Sequence, residues 1–283
     1  MSGAGTCQNR IMEFVRLTPA LGAEVRGLDL TGDLDQTAMD ELVHAFVTHQ
    51  ILVINAPDMT PEQHMAFGRR LGEIEVHAFF PNLGGTREQV SVLDSADGTT
   101  ASMWHTDETF LAEPPMATLT HAKILPSTGG DTLFASSTAA YNALSPRMKD
   151  HLEGLTAIHD LSRTTELRFR FGLADAGQYA AAIAADRRTA HPVVRTHPVT
   201  GEKSLFVNPT YTRHIVGLPP DESDMLLAYL HRHTIKEQFV YRHRWNDGDL
   251  LMWDNRSTMH LALADFEGRR LMYRVSVVGD GNV

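Results

Sequence analysis

The sequence contains a single cysteine, Cys7, among its 283 residues. One thiol cannot form an internal disulfide, which excludes the cystine framework typical of small secreted domains. The chain also lacks an apolar run long enough to span a bilayer, and it shows no signal-peptide pattern. We therefore expect a cytoplasmic protein that makes no membrane contact.

Basic residues are also scarce, since 25 Lys and Arg stand against 35 Asp and Glu and the formal net charge is -10. A nucleic-acid partner needs a basic face that binds phosphates, and the sequence shows none. This balance of charge argues against nucleic acid as a partner. A small anion must therefore be bound where a few positive side chains gather locally.

The chain has enough apolar material for a sizeable core, because 42% of its residues are hydrophobic. We expect one domain over residues 12–283, preceded by a disordered polar segment over residues 1–11. Residues at about 161–190 are rich in Arg, Ala and Asp and show no strand pattern. We interpret them as an insertion that forms a lid over one end of the fold.

Short apolar runs dominate the remaining sequence. Ile51–Ile54, Ala117–Ala122, Leu250–Trp253 and Leu271–Val278 predict buried strands. Thr60-Pro61 predicts a helix start, because a hydroxyl cap is followed by proline at the first helical position and by glutamine three residues after the cap. The pattern predicts a mainly β fold with flanking helices, in which antiparallel sheets form a barrel or a sandwich.

A candidate metal site begins with His105 and Asp107, which are two residues apart. In a strand, their side chains would point to the same face. His260, far along the chain, is a candidate third ligand. Two histidines and one carboxylate form the facial triad that leaves open positions on Fe(II). The competing interpretation is chance, because the chain has 15 histidines.

Arg270 and Arg274 are four residues apart in an otherwise apolar run, so in a strand they share one face, about 13 Å apart. Buried guanidinium groups require anionic partners. A buried face therefore predicts two bound anions. An exposed edge strand would leave both arginines in water.

Five motifs occur in order along the chain: Trp104-His105-Thr106-Asp107, Leu125–Leu133, His191–Pro198, Trp253-Asp254-Asn255-Arg256 with His260, and Arg269–Arg274. Together they resemble the taurine dioxygenase (TauD/TfdA) family, and the match runs from about residue 12 to 280. The resemblance implies a double-stranded β-helix (jelly-roll) core. It also implies Fe(II) as the metal, with 2-oxoglutarate and O2 as co-substrates.

The resemblance also implies roles for individual residues. The iron ligands are expected to be His105, Asp107 and His260. Thr132 and Arg270 are expected to hold the far carboxylate of 2-oxoglutarate, since a guanidinium can grip a carboxylate through two parallel hydrogen bonds. The remaining cation, Arg274, is expected to bind the acidic group of the primary substrate, which makes that substrate a small anionic organic molecule.

The substrate itself is less well defined by the motifs. The resemblance implies that His77 donates a hydrogen bond to the acidic group of the substrate. Phe80 stands where taurine dioxygenases have a tyrosine, and the missing hydroxyl weakens an assignment of taurine as the substrate. Glu108 stands where relatives usually have a small apolar residue, and it is expected either to contact a substrate amine or to pair with an arginine such as Arg213. Two further aromatic residues are candidate pocket walls, with plain core packing as the alternative: Phe110 and Phe206.

These expectations favour hydroxylation of a small anion, such as a sulfonate, an alkyl sulfate, an aryloxy acid or an amino acid, with release of succinate and CO2. A zinc-dependent hydrolase or lyase with the same three ligands is the alternative. A second anion clamp formed by Thr132 and Arg270 favours the oxygenase, because a hydrolase has no need for it. A non-catalytic anion sensor is a third possibility. The resemblance also suggests a homo-oligomer, either a dimer or a tetramer.

Overall fold

The computed structural model describes residues 12–32, 34–77, 80–97, 103–162, 165–166, 177 and 188–279. The predicted N-terminal segment, residues 1–11, lies outside the described residues. Most of the predicted lid at 161–190 does so as well. Residue 188, within that stretch, begins a strand that the sequence pattern did not predict.

Strands make up most of the ordered elements. In chain order, they are β1 (Glu13–Arg16), β2 (Ala23–Arg26), β3 (Ile51–Asn55), β4 (Ser91–Asp94), β5 (Ala117–Ile124), β6 (Thr132–Ser136), β7 (Thr156–Asp160), β8 (Arg188–Pro192), β9 (Val194–Thr196), β10 (Lys203–Leu205), β11 (Thr212–Ile215), β12 (Val240–His243), β13 (Asp249–Asp254), β14 (Thr258–Ala262) and β15 (Leu271–Val277). The α-helices whose bounds the described residues define are α1 (Gln36–His49), α2 (Pro61–Leu71), α3 (Ser137–Asn142), α4 (Pro146–Leu152) and α5 (Pro220–Thr234).

The largest sheet has seven strands in the order β1-β2-β3-β13-β5-β15-β4, and a smaller sheet has the order β12-β6-β14. The two sheets face one another, because Phe134 of β6 packs against Trp253 of β13 with ring centroids 5.4 Å apart. This arrangement confirms the predicted mainly β fold with a double-stranded β-helix core. The elements that the sequence pattern missed are short ones, including β7, β11, β12, β14 and α3.

Both faces of the large sheet are buried, which explains why its central strands are continuously apolar. Along β3, Leu52 and Ile54 face the helices α1 and α2, whereas Ile51 and Val53 face the small sheet and contact Phe134. The side chains alternate between the two layers, as a strand requires. The space between the two sheets is therefore where a site can form.

The helix α2 begins as its sequence predicts. The Thr60 hydroxyl accepts a hydrogen bond from the Gln63 backbone N–H, and the Gln63 side chain accepts one from the Thr60 backbone N–H. This reciprocal capping box satisfies two N–H groups that the helix itself cannot bond. None of the helices in the described part of the chain is long and apolar enough to cross a membrane.

Candidate metal centre and its anion-binding surroundings

His105 and His260 come from distant parts of the chain and are joined by one antiparallel bridge. The His105 N–H donates to the His260 carbonyl at 3.0 Å, and the His260 N–H donates to the His105 carbonyl at 2.7 Å. The sequence interpretation placed His105 and Asp107 together in a regular strand, and this was wrong. Only His105 pairs, and the chain turns at Asp107.

The turn nevertheless brings the three side chains together. The Asp107 Oδ1 atom lies 3.7 Å from Nε2 of His105 and 3.7 Å from Nε2 of His260. One donor atom from each of the three residues lies within 4.8 Å of the others. Metal–ligand bonds of about 2.1 Å let one ion contact two donors that are 3.7 Å apart, as Asp107 Oδ1 is from each imidazole. The donor set of two imidazoles and one carboxylate therefore fits a single first-row metal ion.

Both imidazoles are suited to bind a metal as neutral ligands. The His105 Nδ1 atom lies 2.9 Å from the Met103 carbonyl, which can only accept, so Nδ1 carries the proton and Nε2 keeps its lone pair. Burial lowers the pKa of His105, and burial followed by the charge of His105 lowers the pKa of His260 to about 3. Neutral imidazole is the form that coordinates metals.

The Asp107 carboxylate is oriented from behind by a buried chain of hydrogen bonds. The Thr118 hydroxyl donates to Asp107 Oδ2 at 2.8 Å. The Asn255 Nδ2 atom donates to the Thr118 hydroxyl at 3.0 Å, and Trp253 Nε1 donates to Asn255 Oδ1 at 3.1 Å. With Oδ2 held in this way, Oδ1 is left to face the two imidazoles.

Arg274 lies beside this carboxylate, with its Nη2 atom 3.1 Å from Asp107 Oδ2 and only 5% of its surface exposed. Burial alone would raise the pKa of Asp107. The charge of Arg274, both imidazoles and the Thr118 hydroxyl together outweigh burial and hold the pKa of Asp107 well below its ordinary value. Asp107 is therefore ionised at neutral pH.

Arg270 and Thr132 both contact the indole of Trp245. The Arg270 guanidinium lies 5.7 Å from the centre of the Trp245 ring, and Trp245 Nε1 donates to the Thr132 hydroxyl at 3.0 Å. Because that hydroxyl oxygen already accepts, its proton remains available for donation. Arg270 immediately precedes β15 instead of lying in it, and its Nε donates to the Gly130 carbonyl at 3.2 Å.

Arg270 is held in surroundings that disfavour its charge. Burial lowers the pKa of Arg270 to about 10, and Asp131 offsets this only in part. Among the residues that the structure describes, the hydrogen bonds from its guanidinium use Nε alone, so both Nη atoms can face an anion. A bound carboxylate would supply the missing charge.

The predicted substrate residues form a cluster next to Arg274. The His77 and Phe80 rings stack at 4.3 Å, and the Arg274 guanidinium lies 5.6 Å from the Phe80 ring centre. The His77 Nε2 atom lies 3.5 Å from Glu108 Oε2. His77, Phe80 and Glu108 thus share one region with Arg274, as the sequence interpretation expected.

The alternative pairing of Glu108 with Arg213 does not occur. The Arg213 guanidinium instead binds the Asp160 side chain and donates to the Thr210 carbonyl at 2.9 Å. Burial is the largest effect on Glu108 and raises the pKa of its carboxyl group; Arg274 opposes this, and Glu75 adds to it.

The two candidate wall residues are both buried but lie in different surroundings. Phe110 packs on Tyr211 at 5.2 Å, and the Tyr211 ring lies 6.3 Å from the His105 ring. Phe206 contacts the rings of His159 and His191, and no contact between Phe206 and the three candidate metal ligands is found in the described part of the chain. Phe110 is therefore close to the candidate metal centre, whereas Phe206 lies one layer away.

Sequence reasoning missed several residues that shape this site. Tyr211 and Trp245 lie outside the regular strands, in loops where no periodicity draws attention to them. Thr118 was predicted only as part of a strand, and its polar partner Asn255 is 137 residues away. Glu75 carried no motif at all. Such residues are recognisable only from the three-dimensional arrangement.

Comparisons with known proteins agree with this geometry. The profile of the family described as "Taurine catabolism dioxygenase TauD, TfdA family" matches residues 13–276. The chain is 32% identical over 264 residues to the alpha-ketoglutarate-dependent sulfate ester dioxygenase of Pseudomonas putida, covering 92% of this chain and 87% of that protein. It is 34% identical over 286 residues to the alpha-ketoglutarate-dependent 2,4-dichlorophenoxyacetate dioxygenase of Cupriavidus pinatubonensis, covering 94% and 98%.

A solved structure shows the same likeness. The crystal structure of a taurine dioxygenase from Burkholderia xenovorans matches with a TM-score of 0.80 and 32% identity, over 95% of this chain and 90% of that one. The relatives named above are oxygen-using enzymes that depend on alpha-ketoglutarate, which is 2-oxoglutarate. The competing interpretation as a zinc-dependent hydrolase or lyase is therefore not supported. The resemblance inferred from the motifs is confirmed, and the chain belongs to the TauD/TfdA family of alpha-ketoglutarate-dependent dioxygenases.

Proposed function

We propose that the protein is an Fe(II)- and 2-oxoglutarate-dependent dioxygenase that hydroxylates a small anionic organic substrate. The observation that carries the proposal is the convergence of His105, Asp107 and His260 within 4.8 Å, next to the buried guanidinium of Arg274. A metal centre flanked by two separate cationic anchors suits a reaction with two anionic reactants.

The iron would be held by Nε2 of both histidines and by Oδ1 of Asp107. When bound there with 2-oxoglutarate and O2, iron supplies the oxidation that places one oxygen atom in a substrate C–H bond and the other in succinate, with loss of CO2. The residues of the chain itself provide position and electrostatics. The Thr118–Asn255 hydrogen bonds keep Asp107 turned toward the ion.

We assign the far carboxylate of 2-oxoglutarate to Arg270 and Thr132. The available Nη atoms of Arg270 form the fork that a carboxylate binds in two parallel hydrogen bonds. The Thr132 hydroxyl adds one more donor. Trp245 holds both groups in place through its Nε1 hydrogen bond to Thr132 and the contact of its ring with Arg270.

We assign the acidic group of the primary substrate to Arg274, with His77 as a second donor. Phe80 and Phe110 would form apolar walls of the same pocket, and Phe206 would support it from the next layer. The named relatives act on a sulfate ester and on an aryloxyacetate, both small anions, which supports this substrate class.

We also propose that residues 12–283 form one domain that works in the cytoplasm as a homo-oligomer. The single cysteine supports a reducing compartment. The match to a single family profile over residues 13–276 supports one domain.

The proposal is tested by measuring succinate after purified protein is mixed with 2-oxoglutarate, O2 and candidate anions. The panel contains sulfonates, alkyl sulfates, aryloxy acids and amino acids. We expect succinate release that requires Fe(II) and that at least one anion accelerates. Equal release with Zn(II) in place of Fe(II), or no release under any condition, would refute the proposed function.

A further inference from the structure

The carboxyl groups of Glu108 and Glu75 are not used by the roles assigned above. Glu108 is only 6% exposed, and its Oε2 atom has no hydrogen-bond partner within the described ranges. The Oε1 atom of Glu75 is likewise buried and unpartnered there. Glu75 is also close enough to Glu108 to add to the rise in the pKa of the Glu108 carboxyl group. Each side chain therefore offers one buried carboxyl oxygen that has no donor in the described part of the chain.

The position of the pair relative to the candidate metal centre is well defined. Glu108 directly follows Asp107, and its backbone has a φ of 47°, a left-handed conformation that is rare for residues other than glycine. Glu75 comes from the segment beside the end of β15, where its N–H donates to the Ser276 carbonyl at 3.1 Å. Glu108 therefore lies within reach of the charge of Arg274, the proposed anchor of the substrate, and Glu75 reaches Glu108 from the segment beside β15.

The nearest polar neighbour does not satisfy Glu108. The His77 Nε2 atom is 3.5 Å from Glu108 Oε2, which is long for a hydrogen bond. Burial and the charge of Arg274 lower the pKa of His77 to about 4, so its ring is neutral at pH 7. An acceptor buried without a donor is costly to keep, and such groups in native proteins mark functional positions.

We propose that Glu108, with Glu75, accepts a hydrogen bond from a donor group on the substrate, either an ammonium or a hydroxyl, close to the acid that Arg274 binds. The inference rests on the proposed function and narrows its substrate class from small anions to acids that also carry a donor. A charged donor forms the stronger hydrogen bond to a carboxyl oxygen, so ammonium is favoured over hydroxyl. A second acidic group at this position would be repelled.

The test compares matched ligands with and without the donor. The pairs are 2-aminoethanesulfonate against ethanesulfonate, and 3-aminopropanoate against propanoate. Dissociation constants are measured by calorimetry without oxygen, on enzyme loaded with Fe(II) and 2-oxoglutarate. We expect the amino member of each pair to bind at least about tenfold more tightly, because a hydrogen bond to a charged group contributes that much to affinity.

Two substitutions test whether the preference for amino-bearing ligands depends on Glu108. Glu108→Gln removes the charge while keeping the size of the side chain, and Glu108→Ala removes the acceptor, with thermal melting to confirm that each variant is folded. Both should reduce the preference for the amino member to about threefold or less. The exposed Glu113, five residues along, provides the control, and Glu113→Gln should keep the full preference.

The outcomes separate this inference from the proposed function. Succinate release with donor-free acids as efficient as with their amino partners leaves the proposed function intact and overturns the inference. An unchanged preference in Glu108→Gln and Glu108→Ala, or failure of the amino acids and amino sulfonates to bind the wild type, also overturns it. If the preference is present but no succinate forms with any acid, the substrate site stands and the proposed function fails.

Discussion

The molecule contains two clusters of buried charge that differ in how completely they are satisfied. In the first, Asp254 accepts from Nε and Nη2 of Arg256, both at 2.8 Å, and lies 2.9 Å from Nε2 of His197. The His197 Nδ1 atom in turn accepts from the backbone N–H groups of Val199 and Thr200. We call Asp254, Arg256 and His197 the closed cluster.

The second cluster, Asp107, Arg274 and Glu108, is equally buried, and we call it the open cluster. Its ion pair is looser than that of the closed cluster, because Nη2 of Arg274 lies 3.1 Å from Asp107 Oδ2 without forming a hydrogen bond to any described residue. Nε of Arg274 and Oε2 of Glu108 likewise have no hydrogen-bond partner in the described part of the chain, and neither has Nδ1 of His260 beside them. The Asp107 Oδ1 atom also faces two imidazole nitrogens at 3.7 Å, too far for hydrogen bonds.

The difference shows what each cluster is for. A closed cluster gains its interactions during folding, so its loss should reduce stability and spare activity. An open cluster contains buried donors and acceptors without partners, which destabilises the free protein. Binding of a metal or an anion satisfies these groups and stabilises the fold. Loss of an open cluster should reduce binding and activity while sparing the fold.

The largest expected effect comes from replacing His260, which lies beside the open cluster, and comparing it with replacement of His197 in the closed cluster. His260→Ala should reduce 2-oxoglutarate turnover by at least about 10³-fold, because the metal loses one of three ligands, and should leave the thermal midpoint nearly unchanged. His197→Ala should cost about 1.5–3 kcal/mol of stability, the value of a hydrogen bond to a buried charge, and should keep turnover. Loss of stability in His260→Ala with loss of turnover in His197→Ala would contradict the different roles assigned to the two clusters.

The closed cluster predicts the largest loss of stability. Asp254→Asn should lower the free energy of unfolding by about 3–5 kcal/mol at pH 7, because it leaves the Arg256 charge buried without its partner. Urea unfolding measures this loss. A cost below about 1 kcal/mol would show that the cluster is not a stabilising one.

The same variant gives the closed cluster a pH signature. Burial alone would raise the pKa of Asp254, but Arg256 and His197 outweigh it and hold the pKa at about 2, below its ordinary value of 3.8. The stabilisation is complete above pH 4 and is lost as the pH falls from about 4 to about 2, a change of about 2 kcal/mol. The stability gap between wild type and Asp254→Asn should therefore narrow in that window. A gap that stays constant down to pH 2 would contradict the assigned cause.

Arg274→Ala tests the open cluster from the substrate side. Loss of this buried charge partner should cost about 2–5 kcal/mol of transition-state stabilisation, measured as a fall in kcat/KM for an acidic substrate. Most of the fall should come from a higher KM. Decay of 2-oxoglutarate without substrate should continue, because Arg270 still holds that molecule. Arg269, which pairs with Asp94 at the surface, provides the matched control. Equal loss of coupled and uncoupled turnover would contradict the role of Arg274.

The smallest effect is expected behind the metal ligand. Thr118→Val removes the hydroxyl that donates to Asp107 and should weaken metal binding by about 10- to 100-fold. Thr120 lies two residues along β5, and its hydroxyl is buried with no partner among the described residues. Thr120→Val is therefore the matched control and should leave metal affinity unchanged. Equal effects of the two substitutions would show that the hydroxyl of Thr118 does not orient Asp107.

Features encoded by residues close together in the sequence could be predicted, whereas most features that depend on distant residues could not. The start of α2 was correct because the capping box lies within four residues, Thr60 to Gln63. The grouping of His105, Asp107 and His260 was correct because the motifs carried it. The strand assumed for His105 and Asp107 was wrong, since a spacing of two residues does not distinguish a strand from one bridge followed by a turn.

The surroundings of the site could not be predicted for a physical reason. The hydrogen bonds behind Asp107 join residues that are 11 and 137 positions apart. Trp245 meets Thr132 across 113 positions. Such contacts are set by the packing of the two sheets and leave no periodic trace in the chain.

The central claim is that His105, Asp107 and His260 together hold one metal ion. The most direct test is equilibrium dialysis of wild type and of the three single alanine variants against Fe(II) and 2-oxoglutarate without oxygen, with the bound iron counted per chain. The account predicts one ion in the wild type and in Thr120→Val, and a large loss of affinity in each ligand variant. Full retention of the ion by folded Asp107→Ala or His260→Ala, or no ion in the wild type, would contradict it.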